Sequence, residues 1–269
     1  MEPAIGLATL WGVFAATHIG LATRRTRSAL VARLGEQGFL AGFSLLASIL
    51  FALLVHFYAI HRFEGAPGPG LGTTEPVRAV LVGAIVVGLV LAFAAFPAYP
   101  GSTYATGGTG TRAPRGLERI TRHPFFVGVA IAAAAHALLA TRLVGTVFSL
   151  GLLGLSLVGA WHQDRKLLAR RGRPFADFLA VTSVVPFAAI LSGRQRLVAR
   201  ELPWGTLVVT LLVVGGLRAV HESIFASGGA WVVAVVVGGA GVLMLQDWRV
   251  ARRRARPARQ GREAPVSVG

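Results

Sequence analysis

Residues 79–96 read AVLVGAIVVGLVLAFAAF, a run that contains no charged side chain. A helix of roughly 20 such residues, rising about 1.5 Å per residue, is long enough to cross the hydrocarbon core of a bilayer. The sequence therefore predicts an all-α, polytopic transmembrane helical bundle of about seven spans. Apolar runs of this length cover residues 4–22, 38–58, 77–97, 124–141, 143–162, 205–226 and 230–248.

The composition agrees with a membrane protein and excludes several other classes. Of the 269 residues, 54% are hydrophobic and only 14% are charged, and the mean hydropathy is +0.64. A soluble domain carries about 25% charged residues. The net charge of +16 does not indicate nucleic-acid binding, because so apolar a chain offers no continuous soluble surface. Without cysteine, thiolate catalysis and thiolate metal ligation are excluded, and imidazole and carboxylate remain.

Lys and Arg fall on alternate loops between the predicted spans. Of the 27 basic residues, 23 lie in residues 24–33, 112–122, 165–200 and 249–262. Because basic loops stay on the cytoplasmic side, this asymmetry predicts an N-terminus outside and a C-terminus inside, which we assign to a bacterial plasma membrane. The same cytoplasmic face is suited to contact anionic lipid.

Three further segments complete the predicted organisation. Residues 174–191 are too short for a span and contain Pro186, which predicts one helix along the inner interface. Residues 64–76 and 98–114 are rich in glycine and proline and are predicted to be loops. We expect one transmembrane domain over residues 1–248 and a basic, disordered tail over residues 249–269.

Two histidines at membrane depth, His18 and His136, are candidate cofactor ligands. Each stands among small residues, Gly and Ala, on its helix. Ionisable side chains inside a bilayer are costly and often functional, and two neutral imidazoles suit the axial positions of a haem iron. The alternative is that the small residues allow close helix packing, while each histidine hydrogen-bonds a neighbouring helix.

Three further groups of polar residues are candidates, two near the membrane surface and one at membrane depth in the predicted span 205–226. His123, before Pro124, is placed to contact a head group or the carboxylate of a cofactor, or it simply belongs to a helix N-terminus. Asp164 lies among cations and is predicted to be a screened ion-pair partner. The basic cluster around it could bind the propionates of a haem or serve only to anchor the chain at the membrane. Arg218, His221 and Glu222 share one helical face by their i, i+3 and i+4 spacing, which favours an ion pair between Arg218 and Glu222.

Several short motifs are spread over residues 17–225, and the segment from Thr182 to Gln195 is the most specific of them. The motifs are His18-Ile-Gly-Leu-Ala22, Arg33-Leu-Gly-Glu36 with Phe39, His61-Arg-Phe-Glu-Gly65, Arg119-Ile-Thr-Arg-His-Pro124 with Gly128, Ala135-His136, Gly159-Ala-Trp161 with Asp164-Arg165, and Thr182-Ser-Val-Val-Pro-Phe-Ala-Ala-Ile190 with Gly193-Arg-Gln195. Together they resemble the NnrU family, and within it the zeta-carotene isomerase branch. The last predicted span and the tail lie outside the resemblance.

The resemblance implies a membrane isomerase with haem b that acts on the central 15-cis double bond of a poly-cis carotene. It implies axial and catalytic roles for His18 and His136, beside which Arg122 and His123 are candidate cofactor-binding residues. Helix geometry places His18 and His136 at different depths, so His18 with His123 is a second candidate pair. Such a substrate is an apolar polyene, and five phenylalanines could line its site or serve ordinary packing. They are Phe14, Phe43, Phe51, Phe126 and Phe148.

Two other functions stay open on the sequence. Many members of the family resemble accessory proteins of nitrogen-oxide metabolism, so the chain could be a haem protein without catalytic activity. Residues 122–128 and 171–178 are also similar to the Arg-His-Pro-x-Tyr-x-Gly and Gly-x-x-Tyr-x-x-Tyr motifs of membrane methyltransferases that use S-adenosylmethionine. In this chain phenylalanine replaces each of those tyrosines.

Overall fold

The structure is a computed structural model, which describes residues 2–99, 102–104 and 111–242 together with Leu245 and Arg249. Regular structure in these residues is helical, apart from a single antiparallel bridge between Pro67 and Arg142. The α-helices are α1 (Pro3–Ala22), α2 (Arg24–His61), α3 (Glu75–Ala98), α4 (Leu117–Ile120), α5 (Pro124–Leu139), α6 (Leu143–Arg171), α7 (Arg173–Val181), α8 (Ala188–Leu191), α9 (Trp204–Ala219) and α10 (Ala230–Val242). Short 3₁₀ turns cover Leu71–Thr73, Ala199–Glu201 and His221–Ser223.

Four helices, α1, α2, α3 and α6, are long and apolar enough to cross a membrane. The shorter apolar helices α5, α9 and α10 have 10–17 residues each. Large apolar side chains cover the outside of the bundle, among them Val80, Leu212 and Val235, each about 70% exposed. This exterior suits lipid and confirms a helical membrane protein. The seven-span count is not established, because three of the predicted spans correspond to these shorter helices.

The helices pack in the order α2, α1, α6, α5, α3 and α9 across the bundle. At one end the loop after α2 meets the start of α1, since the Ala66 amide donates to the Glu2 carboxylate at 3.0 Å. The same loop pairs with the α5–α6 connection, where the Gly68 amide donates to the Thr141 carbonyl at 3.0 Å. We call this the hairpin end. The opposite end, which holds α4, α7, α8 and the start of α5, is called the basic end.

Two glycines let α3 and α5 approach so closely that their backbones are in contact. A methyl group added at Gly128 would lie 2.6 Å from the Ala92 nitrogen, and one at Gly88 would lie 2.6 Å from the Gly128 carbonyl oxygen. The small residues before His136 therefore serve close helix packing, which the sequence had left as the alternative to a cofactor wall. Around His18 the outcome differs, because added methyl groups at Gly12 and Gly20 would meet no atom within 4 Å.

Some predicted boundaries differ from the structure. α2 begins 14 residues before the predicted span at residue 38 and bends at Gly35, whose φ of +71° suits glycine. The predicted span 205–226 is helical only to Ala219, and turns follow. The predicted interfacial segment 174–191 holds α7 and α8, separated by a non-helical stretch. The predicted tail lies outside the described residues, apart from Arg249.

Two clusters of buried side chains fix the two ends of the bundle. Toward the hairpin end, Trp11 and Phe14 of α1 pack with Leu54 of α2 and Val144 of α6. At the basic end, Phe175 and Phe178 of α7 pack on Tyr104 and Leu167. The second cluster holds α7 against the bundle and surrounds the polar residues described next.

Candidate functional site

Four polar side chains meet at the basic end around one carboxylate. Oδ1 of Asp164, on α6, accepts a hydrogen bond from the Tyr104 hydroxyl at 2.9 Å. The same oxygen lies 2.9 Å from Nε2 of His123. Its second oxygen, Oδ2, accepts Arg122 Nε at 2.9 Å. We call Tyr104, Arg122, His123 and Asp164 the Asp164 cluster. It joins the start of α5, the basic half of α6 and the segment 102–104.

Local structure explains why these side chains converge. Pro124 begins α5, so His123 occupies the cap position and its ring is turned toward α6. Thr121, two residues before His123, donates its hydroxyl to the Val184 carbonyl at 2.7 Å, which fixes the loop after α7 beside the cluster. The Tyr104 ring then covers His123, with 4.4 Å between the ring centroids.

The Asp164 cluster is shielded from water. Tyr104, His123 and Asp164 are 8%, 3% and 9% exposed. Burial, followed by the neighbouring Asp164 carboxylate, raises the pKa of Tyr104, so its hydroxyl stays protonated and donates. The prediction that Asp164 is an ion-pair partner is confirmed, with Arg122 as the partner, but the pair is largely buried and not screened by water. The interaction fixes the orientation of both candidate residues, Arg122 and His123.

A second polar bridge connects α4 to the segment before α9. Arg119 binds both carboxylate oxygens of Glu201, at 2.8 and 3.0 Å, and also donates to Gln195 Oε1 at 2.8 Å. The Gly116 amide donates to Glu201 at 3.1 Å. The hydrogen bond from Arg119, followed by the one from Gly116, lowers the pKa of Glu201 to about 2. The sequence had not paired these residues, which are far apart along the chain.

We expect this bridge to make stability depend on acid pH. The Glu201 carboxylate has its ordinary pKa near 4.5 when unfolded and a lower pKa when folded, so its contribution is present above pH 4.5. That contribution is lost as the pH falls from 4.5 toward 2. The melting temperature of detergent-solubilised protein should therefore exceed that of Glu201→Gln at pH 6, and the difference should shrink below pH 4.5. Glu222→Gln is the control, and a difference that stays constant down to pH 2.5 would contradict the expectation.

His18 lies in an aromatic environment on α1. Its ring stacks on the ring of Phe14, with 5.2 Å between the centroids and 12° between the planes. It also lies against the ring of Phe43 of α2, with 4.9 Å between the centroids. Its Nδ1 atom is buried and has no hydrogen-bond partner among the described residues. An imidazole nitrogen without a hydrogen bond can bind a ligand or a metal ion, so His18 by itself suits a functional role.

His136 lies close to the hairpin end of α5. Its Nδ1 donates to the Ala132 carbonyl one turn earlier, at 2.8 Å. The ring faces His221, in the turn after α9, with 6.3 Å between the centroids and 18° between the planes. The predicted ion pair between Arg218 and Glu222 is absent from the described residues, because α9 ends at Ala219 and the helical spacing is lost.

The structure does not bring His18 and His136 together. The start of α1 and the end of α5 both lie at the hairpin end. At about 1.5 Å per residue, His18 lies about 22 Å from that end and His136 about 5 Å from it. Two imidazole nitrogens on one metal are only about 4 Å apart. This pair therefore does not fit a single haem iron in the described arrangement, and no group of three or more His, Asp or Glu side chains in the described residues could hold a metal.

The second candidate pair, His18 with His123, lies at more similar depths, but their side chains make separate contacts. His123 is held by Asp164 and Tyr104, whereas His18 contacts phenylalanines. Of the five predicted lining residues, Phe14, Phe51 and Phe148 belong to the packing between α1, α2 and α6, and Phe43 reaches them through His18. Phe126 lies apart, 5.8 Å from His123.

Comparison with known proteins identifies relatives of the whole helical region. The sequence profile described as NnrU protein matches residues 6–244. The protein named 15-cis-zeta-carotene isomerase, chloroplastic, of Arabidopsis thaliana is 33% identical over an alignment of 226 residues, which covers 80% of this chain and 59% of the relative. The protein of the same name from Zea mays is 31% identical over an alignment of 191 residues, which covers 69% of this chain and 50% of the relative.

The chain thus spans between half and three fifths of the length of these two curated relatives. No solved structure matches it.

Proposed function

This chain belongs to the NnrU family, and on that premise we propose that it isomerises the central 15-cis double bond of a poly-cis, zeta-carotene-like hydrocarbon. The observation that carries the proposal is the 33% identity, over 80% of this chain, to a plant protein named 15-cis-zeta-carotene isomerase. The reaction changes only the geometry about one double bond. It consumes no water and needs no external reductant, in agreement with a site that lies inside an apolar helix bundle.

The environment of His18 supports this choice of substrate. A carotene has no polar group, so its site must be reached from within the bilayer and be lined by apolar side chains. Phe14 and Phe43 flank the imidazole. On other faces of the same helix, added methyl groups at Gly12 and Gly20 would meet no atom within 4 Å. The two phenylalanine rings give the imidazole an apolar setting, which suits a hydrocarbon substrate.

Haem b is the cofactor that we propose for the reaction. When bound, haem would withdraw electron density from the polyene and so lower the barrier to rotation about the central bond. The chain would supply imidazole ligands, exclude water and orient the substrate. We keep His18 and His136 as proposed catalytic residues, with Arg122 and His123 as proposed cofactor-binding residues. The 17 Å difference in depth between the two histidines, about 22 Å against about 5 Å, speaks against both binding one iron.

The proposal is tested in a carotenoid-producing host that lacks its own isomerase and is kept in the dark, because light drives the same rotation. We expect the chain to convert tri-cis carotene to the di-cis form. His136→Ala should abolish conversion. Phe126→Trp should keep the haem but lose most activity, because the larger side chain changes the lining of the proposed carotene site. Val80→Ala, on the exposed side of α3, is a control that should retain activity. Protein that carries haem and leaves the tri-cis carotene unchanged would instead be an accessory haem protein.

We further propose seven spans, with the N-terminus outside, the C-terminus inside and the basic end on the side that contacts anionic lipid. The observation that supports this orientation is that 23 of the 27 Lys and Arg fall on one side of the predicted spans. Reporter domains fused after Gly65, at the hairpin end, and after Arg196, at the basic end, should report opposite sides of the membrane. The same side for both would contradict this topology. The bacterial plasma membrane stays a prediction.

A further inference from the structure

We propose that residues 182–195, the most specific motif of the sequence, form a lipid anchor at the basic end of the bundle. Three exposed apolar side chains, Val185, Phe187 and Leu191, enter the acyl layer of the adjacent leaflet, and the arginines that follow bind its anionic head groups. The inference deepens the proposed lipid contact of the basic end, on which it rests. It is independent of the isomerase reaction and of haem.

Polar contacts hold both ends of this motif against the bundle. At its start, Thr182 is 1% exposed and donates its hydroxyl to the Phe178 carbonyl at 2.7 Å. At its end, the Gln195 side chain accepts a hydrogen bond from Arg119 at 2.8 Å. The segment between these contacts is therefore fixed to the protein, and its exposed side chains have defined positions.

Phe187 has a backbone conformation that phenylalanine rarely adopts. Its φ is +63°, and it is the one non-glycine residue with a positive φ in the part of the chain that the structure describes. The Phe187 amide donates to the Ile120 carbonyl at 2.9 Å, so contacts with the bundle impose this conformation. The ring is 46% exposed, and packing inside the protein does not account for the strain. Strain of this kind is typical of functional positions, and here it keeps a large apolar ring at the surface.

The apolar residues on either side of Phe187 are exposed as well. Val185 is 64% exposed, and Leu191, at 85%, is the most exposed large apolar side chain among the described residues. Ala189, on the opposite side of the same helical turn, is fully buried, which fixes the orientation of α8. An apolar surface that is exposed and held in place indicates a binding partner.

The charges beside this surface fit anionic lipid. Residues 182–200 contain three arginines and no acidic residue. Arg196 and Arg200 are exposed, and no carboxylate among the described residues pairs with either of them. Trp204, which is 58% exposed, begins α9 shortly afterwards, and tryptophan is enriched at membrane interfaces. Apolar side chains bordered by cations and tryptophan are typical of segments that enter the interface by about 5–10 Å.

Single-cysteine labelling tests the anchor, because the chain has no cysteine of its own. Full-length Leu191→Cys is labelled with the fluorophore NBD and reconstituted in vesicles of phosphatidylcholine and phosphatidylglycerol. Lipids brominated in their acyl chains should quench this label. Aqueous iodide should quench it at least about threefold less than the same label at Asp177→Cys, the exposed control on α7. Val80→Cys, on the exposed side of α3, is the control for full contact with acyl chains.

Two further variants test the separate parts of the anchor. Asparagine tolerates a left-handed backbone, so Phe187→Asn should fold and unfold at no lower temperature than its parent, yet increase iodide quenching of the label at Leu191→Cys. Arg196→Gln combined with Arg200→Gln should increase the same quenching in vesicles that contain phosphatidylglycerol. In phosphatidylcholine alone this double variant should match its parent.

The anchor is overturned if iodide quenches the label at Leu191→Cys as strongly as the label at Asp177→Cys. It is also overturned if neither quencher reaches the label and its fluorescence self-quenches as protein density rises, since the partner would then be a second copy of the chain. Reporter fusions after Gly65 and Arg196 test the orientation separately. Failure of the anchor is therefore distinguishable from failure of the proposed topology.

Discussion

Asp164→Ala is expected to lower the stability of the protein more than any other single change at a polar residue. The substitution leaves the Arg122 guanidinium, His123 and the Tyr104 hydroxyl without their shared acceptor. Removing one partner of a buried ion pair costs about 3–5 kcal/mol, a large part of the stability of an ordinary domain. In thermal unfolding of detergent-solubilised protein, the midpoint should fall by at least roughly 6 °C.

A matched variant at the surface separates this effect from the loss of any carboxylate. Asp177 pairs with Arg173, and both side chains are more than half exposed, at 67% and 89%. Exposed pairs contribute about 0–1 kcal/mol, so Asp177→Ala should unfold close to the wild-type temperature. Equal midpoints for Asp164→Ala and Asp177→Ala would show that the Asp164 cluster does not stabilise the basic end.

Gly128→Ala is expected to separate α3 from α5, although it adds a single methyl group. That methyl would lie 2.6 Å from the Ala92 nitrogen, a backbone atom that cannot move without its helix. Overpacking of this kind costs typically about 1–3 kcal/mol. We expect a lower unfolding temperature and increased proteolysis at the connection between α5 and α6.

Gly83→Ala is the control for this variant, because it makes the same chemical change on α3. No atom lies within 4 Å of the added methyl, and alanine favours a helix over glycine by about 1 kcal/mol. Gly83→Ala should therefore be neutral or slightly stabilising. A Gly128→Ala variant as stable as Gly83→Ala would mean that the two helices are not packed at backbone distance.

The helical membrane fold could be predicted because apolar length is a local property of the sequence. Residues 79–96 indicate a spanning helix without any knowledge of their neighbours, and α3 covers them. The ends of the helices were less predictable, since hydropathy does not show where the helical backbone hydrogen bonds stop. The run at 205–226 stays largely apolar beyond Ala219, where α9 stops, and the structured part of α2 before residue 38 carries four arginines.

The polar contacts depend on pairings that no local pattern encodes. Tyr104 stands in a glycine-rich stretch without helical periodicity, yet it donates to a carboxylate 60 positions away. Glu201 is likewise 82 positions from Arg119. The motif Arg122-His123 did indicate a candidate site at the membrane surface, because these two polar residues directly precede the proline that begins α5. Its partner, Asp164, could be recognised only once α5 and α6 were packed together.

The short helix α9 has a consequence for the lipid around this protein. Trp204, which begins α9, and Arg218, in its last turn, both suit the membrane interface, and they are 14 positions apart. At about 1.5 Å per residue they are roughly 21 Å apart, against about 30 Å for a typical hydrocarbon core. As a span, α9 is therefore shorter than the bilayer is thick. With α9 as one of the seven proposed spans, we expect lipids beside it to compress or to have shorter chains, so that the bilayer is thinner on the α9 side of the bundle than beside α2.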